Sequence, residues 1–411
     1  MNKSATAGNS GPKVRSDCEI TLEIRKSGGI AIDLKSKVKA LYGESIENQC
    51  REILKFYDIP HASLQMNDSG ALPFVISARL EVSILKVTGS ARHYLPEMNP
   101  ANIYSTERDR FRFSRLYLPG NNPGLMLNAG LHSADGIILD LEDSVASDKK
   151  EEARILIRNA LRQIDFCGAE RMVRINQGKK GIEDLSHVIP YNVNLILIPK
   201  CESADEVKAV DDEIAVIKKQ NGIKGNVWLM PIIESAAGTE NCYGIITASK
   251  NVVAVAIGLE DYTADIGVQR TADGRESFYA RTRIVNAAKA AKIQPIDSVF
   301  SDVADIEGLI KNVAESKALG FEGMGCIHPR QIAVIRQGFS PGREEIEKAE
   351  SIVLAFENAV KMGLGVVSLG TKMIDQPVVL RAQRTIDLGV KLGIINENWR
   401  AEQLPEENKI N

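Results

Sequence analysis

GIILDLEDSVASDKKEEARILIRNAL, residues 136–161, decides the fold class. It opens with a short apolar burst, Gly136–Leu141, of the kind that fills a strand buried on both faces. A polar stretch follows, and Lys149–Leu161 then carries apolar residues at helical spacing. The alternation continues on both sides of this stretch, beginning at Arg115. Further bursts lie at 116–118, 172–175, 195–199, 227–234, 252–258, 298–300 and 323–327, with helical stretches such as 205–219, 277–291 and 305–319 between them. Eight strands separated by crossover helices predict a (β/α)8 TIM barrel. An open doubly wound sheet is the alternative. The phosphate-loop motif of a dinucleotide-binding half is absent, because Gly363-Leu-Gly365 lacks both the third glycine and the preceding strand.

Residues 1–92 read as a separate small α/β domain. Cys18–Ile24 alternates apolar and polar residues, and Ile30–Leu34 follows the Gly28-Gly29 turn as a second strand. Residues 43–56 have helical spacing, and 64–67 and 74–78 read as strands, although 77–87 also fits a helix. Residues 1–17 are small and polar and are expected to be flexible. A linker at 93–111 leads to the barrel, 112–340. A C-terminal helical extension, 341–411, follows the last strand and is placed to cover a barrel mouth or reach a neighbouring subunit.

The net charge of -3 and the mixed distribution of basic and acidic residues give no reason to expect a nucleic-acid or membrane partner. Six cysteines fall at no redox or metal-clip spacing, so reduced thiols are expected. No apolar run reaches the roughly 18 residues of a membrane helix. The first residues lack the apolar core of a signal peptide, which places the protein in the cytoplasm.

Reactive groups of a barrel sit at the C-terminal ends of its strands. Here those ends carry Asp140-Leu-Glu142-Asp143, Arg174-Ile-Asn176, Pro199-Lys200, Glu234-Ser235 and Glu260-Asp261. One such carboxylate would cap a helix, but several converging on one rim repel each other unless a cation holds them. An all-oxygen donor set favours magnesium or manganese over zinc. Glu234 and Asp261, at the ends of adjacent strands, are the candidate metal ligands. Asp140, Glu142 and Asp143 are candidates to hold the metal's waters. Arg174 offers a planar fork for a substrate carboxylate or an enolate oxygen, or else a structural ion pair. His328, before Pro329, either faces the site or starts a helix. No nucleophile elbow supports a serine hydrolase.

The runs RLYLPGNN (115–122), LDLEDSVASDKKEEAR (139–154), VRIN (173–176), PIIESAAG (231–238), GLEDY (258–262), IHPRQI (327–332) and LGTKMID (369–375) together resemble the citrate lyase beta subunit and its malyl-CoA and citramalyl-CoA lyase relatives. The resemblance implies a trimer or hexamer of magnesium-dependent barrels, with Glu234 and Asp261 on the metal and Arg174 on the substrate. It also implies that Asp375 is a catalytic acid/base delivered into a neighbouring subunit's site. Read without the resemblance, Asp375 is a helix cap. Relatives often carry Lys after Phe-Asp-Gly, whereas this chain has Met324 in Phe321-Glu-Gly-Met324, which points to a different substrate.

The first 90 residues resemble the citrate lyase acyl carrier (gamma) subunit through Ala7-Gly8, SDCEITLEI (16–24), YGESI (42–46) and the SGAL…ISARLE run (69–81). That subunit carries a phosphoribosyl-dephospho-CoA arm on a serine. Aligned on Asp17, Arg15 stands where the family has that serine, with Ser16 adjacent and Ser10 in a lengthened loop. The arm would sit on Ser16 or Ser10, or be lost. Two enzymatic readings follow. One is a fused citrate lyase cleaving citryl thioester to oxaloacetate and acetyl thioester, working with an alpha-type transferase subunit. The other is a stand-alone citramalyl-CoA or malyl-CoA lyase acting on free CoA thioesters. A non-catalytic scaffold is the third reading, and it predicts that Asp261→Asn changes no lyase activity.

Overall fold

The computed structural model describes residues 4–369 and 372–402. The chain divides between Ile332 and Ala333 into two compact units.

The first unit begins with a four-stranded sheet in the order β1-β2-β4-β3, formed by β1 Ser4–Gly8, β2 Cys18–Ile24, β3 Ile30–Ser36 and β4 Ala62–Asp68. Its first strand corrects the expectation of flexibility over 1–17: Ser4–Gly8 pairs antiparallel with β2. Small polar residues carry no burial pattern of their own, and the partner strand supplies the order. Helix α1 (Lys39–Phe56) precedes β4, and α2 (Pro73–Thr88) follows it. The expected strand at 74–78 is therefore wrong. Pro73 starts a helix whose residues from Phe74 to Ile84 are all buried. A helix buried on every side, with an apolar run such as Phe74-Val-Ile76, reads as a strand over a short window.

The barrel sheet contains β5 Ser114–Pro119, β6 Gly136–Asp140, β7 Glu170–Arg174, β8 Leu195–Ile198, β9 Trp228–Ile233, β10 Ala254–Ile257, β11 Gln294–Ile296 and β12 Met324–Cys326. All eight run in one parallel sheet, in sequence order except that β12 pairs with β5. A parallel bridge between Asp297 and Met324 joins the two ends, so the sheet closes. The burst at 298–300 was misplaced as the seventh strand. Gln294-Pro-Ile296 forms it, and 298–300 lies beyond its end. Side chains from alternate positions fill the interior, among them Ile138, Met172, Leu197, Met230 and Ile296. Arg115 is also fully buried, and loss of water lowers its pKa to about 10.

The outer layer includes α3 Pro123–Met126, α4 Lys150–Gln163, α5 Gly178–Val188, α6 Ala204–Asn221, α7 Ala236–Ile246, α8 Leu259–Asp265, α9 Phe278–Ala291 and α10 Ile306–Leu319. Helix α11 (Pro329–Phe339) spans the division between the units. In the second unit, α12 (Arg343–Lys361), the hairpin β13 (Val367–Leu369) with β14 (Lys372–Ile374), and α13 (Gln376–Lys391) are followed by the short α14 (Trp399–Glu402). Ala349, Val353, Ala382, Ile386 and Trp399 form its core. Among the described residues no helix is long and apolar enough to cross a membrane. All six cysteine thiols are free, and five of them are buried.

Candidate active site

The C-terminal ends of the strands open into a cavity of about 870 Å³. Asp140, Asp143, Arg174, Glu234 and Asp261 all line it, together with Tyr117, Gly124, Glu260, His132 and His328. The geometry gives each a distinct setting.

Arg174, the last residue of β7, faces Asp140, the last residue of the neighbouring β6. Its Nε and Nη2 donate to the two Asp140 oxygens at 2.7 and 2.8 Å, a bidentate fork. Its Nη1 lies 3.1 Å from Glu142 Oε2 and 3.8 Å from Asp143 Oδ2. Burial disfavours the guanidinium charge, but the pair with Asp140 outweighs burial and raises the Arg174 pKa. Burial likewise opposes the Asp140 charge, and Arg174 and Ser144 overcome it and lower that pKa.

Glu142 folds back from the loop after β6. Gln177 Nε2 and Lys200 Nζ reach its Oε1 at 2.8 and 3.2 Å. Its Oε2 is buried and accepts no hydrogen bond. Burial raises the Glu142 pKa, with Arg174 acting against it.

Glu234 follows β9 and is buried. Lys200 N donates to its Oε2 at 2.8 Å. The carboxylate lies flat against Gly258, where an added Cβ would sit 2.2 Å from Glu234 Oε1. Burial pushes its pKa up to about 7, against the pull of the Lys200 amide and Arg174. Asp261 sits in the first turn of α8 rather than at the end of β10, and its Oδ1 lies 3.4 Å from Lys200 Nζ.

Lys200 has no role in the sequence reading beyond its place at a strand end. Its φ of 47° is left-handed, uncommon for a side chain of this size, and the N–H so oriented meets Glu234. Its Nζ lies 3.2 Å from Glu142, 3.3 Å from Asp143 and 3.4 Å from Asp261. A Pro-Lys pair closing a buried apolar strand was the available signal; the backbone conformation was not legible.

These residues suit a divalent cation. Five carboxylates (Asp140, Glu142, Asp143, Glu234 and Asp261) face two cationic side chains, Arg174 and Lys200. Glu234 has no ion-pair partner among the described residues, and Glu142 Oε2, though 3.1 Å from Arg174 Nη1, accepts no hydrogen bond from them. Among the described residues no three His, Cys, Asp or Glu side chains form a ready-made cage. Magnesium does not require one, because it keeps several waters and takes one or two carboxylates.

The other candidates fall elsewhere. Asp375 belongs to the second unit, where it caps α13, its side chain accepting from Val378 N at 3.3 Å. Ser10 is exposed; Ser16 is half-buried with φ 56°, and its N–H donates to Ser69 O. Met324 is fully buried in β12. Residues 370–371 of the LGTKMID run lie outside the described residues.

A closed parallel barrel with charged side chains gathered at the C-terminal ends of its strands has the layout of a TIM-barrel enzyme. The chain belongs to the HpcH/HpaI aldolase/citrate lyase family, whose model matches residues 114–329. Residues 2–87 match a second model, an acyl carrier family described as malonate decarboxylase delta subunit. Citrate lyase subunit beta of Leuconostoc mesenteroides subsp. cremoris is 37% identical over 287 residues, which cover 68% of this chain and 94% of that protein. Human mitochondrial citramalyl-CoA lyase is 34% identical over 289 residues, covering 67% and 85%. The Mycobacterium tuberculosis protein CitE, solved with magnesium, acetoacetate and coenzyme A, is 29% identical with a TM-score of 0.58, covering 68% of this chain and 98% of that one.

Proposed function

We propose that the protein is a magnesium-dependent lyase that cleaves a 3-hydroxy-acyl thioester into an acetyl thioester and a 2-oxo acid. The observation that carries this reading is the excess of carboxylates over cations around Glu234. The beta-subunit relatives and the CitE complex with magnesium and coenzyme A support it. Citryl thioester, giving oxaloacetate, is the first candidate substrate. Citramalyl-CoA and malyl-CoA follow.

Glu234 and Asp261 would hold magnesium, with Asp140, Glu142 and Asp143 around its waters. The bound ion would acidify the substrate's 3-hydroxyl and polarise the carbonyl forming there. Arg174, locked in place by Asp140, presents a fixed positive charge to the cavity, where negative charge develops on the leaving enolate. Asp375 would protonate the enolate carbon in a neighbouring copy's barrel. That role is carried by the family resemblance, and it requires a homo-oligomer. Exposed Met362, Leu364, Val366, Leu369 and Met373 around the β13–β14 hairpin support an assembled state. The expected cytoplasmic setting belongs to the same proposal.

One observation favours free CoA thioesters over a swinging covalent arm. The carrier-like domain is fastened to the barrel by buried ion pairs, Arg79 with Glu152 and Glu81 with Arg158.

The test is cleavage of citryl-CoA, citramalyl-CoA and malyl-CoA by full-length protein, with and without magnesium. Magnesium-dependent release of a 2-oxo acid is expected, and Asp261→Asn abolishes it. A folded protein that binds magnesium and cleaves none of the three would overturn the reading.

A further inference from the structure

The loop between β1 and β2 of the N-terminal domain, residues 9–16, sits against the barrel mouth. The carbonyl oxygen of Arg15 lies so close to Gly124 that an added Cβ there would come within 3.0 Å of it. Gly124 and the neighbouring Leu125 line the cavity. The loop is held at both ends. Asn9 Nδ2 donates to Asp17 Oδ2 at 2.9 Å, and Ser16 N donates to Ser69 O at 3.0 Å.

Its platform cannot move away cheaply. Arg79 of α2 is fully buried and forks onto both Asp17 oxygens at 2.9 Å. The same guanidinium donates to Asn121 Oδ1 at 2.8 Å, in the loop after β5, and lies 3.4 Å from Glu152 of α4. Glu152 also accepts from Gly8 N, Lys86 and Lys149 at 2.9, 2.9 and 3.1 Å. Arg158 of α4 forks onto Glu81 of α2 at 2.9 and 2.6 Å, with both side chains buried. Asn159 donates to Phe74 O and Ser77 Oγ, both at 3.1 Å. Separating the domains would uncover these ions and the buried length of α2, and one broken buried pair alone costs about 3–5 kcal/mol.

The loop presents two exposed cations, Lys13 and Arg15, with no ion-pair partner among the described residues. The cavity that the loop borders at Gly124 is acidic, lined by Asp140, Asp143, Glu234, Glu260 and Asp261. A thioester of an anionic nucleotide can place its acyl end on a metal there, but its phosphates are repelled by that interior and need cations at the rim.

We infer that the N-terminal domain is a fixed wall of the active-site mouth, and that Lys13 and Arg15 hold the phosphates of a free coenzyme A thioester whose acyl end enters the barrel. This rests on the lyase reading above and assigns the carrier-like domain a binding role without a covalent arm.

The experiment uses the full chain with both exposed charges reversed, Lys13→Glu/Arg15→Glu. Coenzyme A binding is measured by calorimetry. Cleavage of a CoA thioester is compared with that of the N-acetylcysteamine thioester of the same acyl group, which lacks the nucleotide. The expected result is a loss of CoA affinity of roughly tenfold or more, and an equal fall in the ratio of kcat/KM for the long over the short thioester. An unchanged ratio in an active enzyme overturns this inference and leaves the lyase reading standing. CoA binding that depends on the two cations, in a protein that cleaves nothing, supports the site while the lyase reading fails. An added mass on Ser10 or Ser16 of protein from its native host also overturns it.

Discussion

Two charged networks lie on this barrel, and they differ in how they close. At the junction with the N-terminal domain, Arg79, Lys86, Lys149 and Arg158 meet Asp17, Glu81 and Glu152, and each carboxylate has a cationic partner. At the mouth, Arg174 and Lys200 are shared among several carboxylates, Glu234 has no ion pair among the described residues, and burial raises its pKa to about 7. A network that closes on itself is structure. One left with excess charge of a single sign is built around something still to bind.

The sharpest way to break this contrast is to remove one charge from each network. Arg158→Ala removes the guanidinium from buried Glu81, leaving it the His93 imidazole at 2.9 Å, and is expected to destabilise the protein by about 3 kcal/mol in chemical denaturation. The double change Glu81→Leu/Arg158→Met should lose less, because neither buried charge of the pair remains and His93, which also meets Glu81, is partly exposed. At the mouth the sign reverses. Glu234→Gln should lower lyase turnover by about a thousandfold, since metal polarisation contributes several kcal/mol. Yet with metal chelated it should be more stable than the parent, by up to about 3 kcal/mol. A carboxyl whose folded pKa lies above its unfolded value destabilises the fold as pH rises through that window. The gain should therefore be absent below about pH 4.5 and complete above about pH 7. If both variants lose stability equally at pH 8, the distinction between the networks fails.

Gly258→Ala probes the mouth from the side. An added Cβ would collide with Glu234 Oε1, so the carboxylate must turn away. We expect magnesium affinity by calorimetry to fall by about ten- to a hundredfold, as for loss of a ligand's supporting contact. Unchanged affinity would mean that Glu234 does not ligate from this position.

How much was legible follows the same division. The long apolar bursts gave β6, β8, β9 and β10 because strands buried on both faces have no other reading. Gln294-Pro-Ile296 was missed because a three-residue strand led by glutamine and proline carries no such signal. The carboxylates of the mouth could be named because position at a strand's C-terminal end is a fold-level rule. The junction was hidden for the opposite reason. Arg79 and Glu81 look like the solvated face of a helix, although the surrounding FVISARLEVSIL is buried on every side and leaves them no water. Lys149 pairs with Glu152, and Lys150 donates to the backbone oxygens of Leu141 and Glu142, contacts that an adjacent pair of lysines does not reveal.

The smallest expected effect is also the most specific to the unpaired carboxylate. A proton and magnesium compete for Glu234, whose carboxyl titrates near pH 7 because it is buried. Below that pH the carboxyl is increasingly protonated and each unit should weaken magnesium binding by about tenfold; above it the affinity should level off. An ordinary exposed carboxylate, ionised well below pH 5, would give a flat profile from pH 6 to 8. Calorimetric magnesium binding over that range decides between the two, and Glu234→Gln supplies the control in which the slope disappears. A slope that survives in Glu234→Gln would place the titrating group elsewhere on the rim, with Glu142, also raised by burial, the next to test.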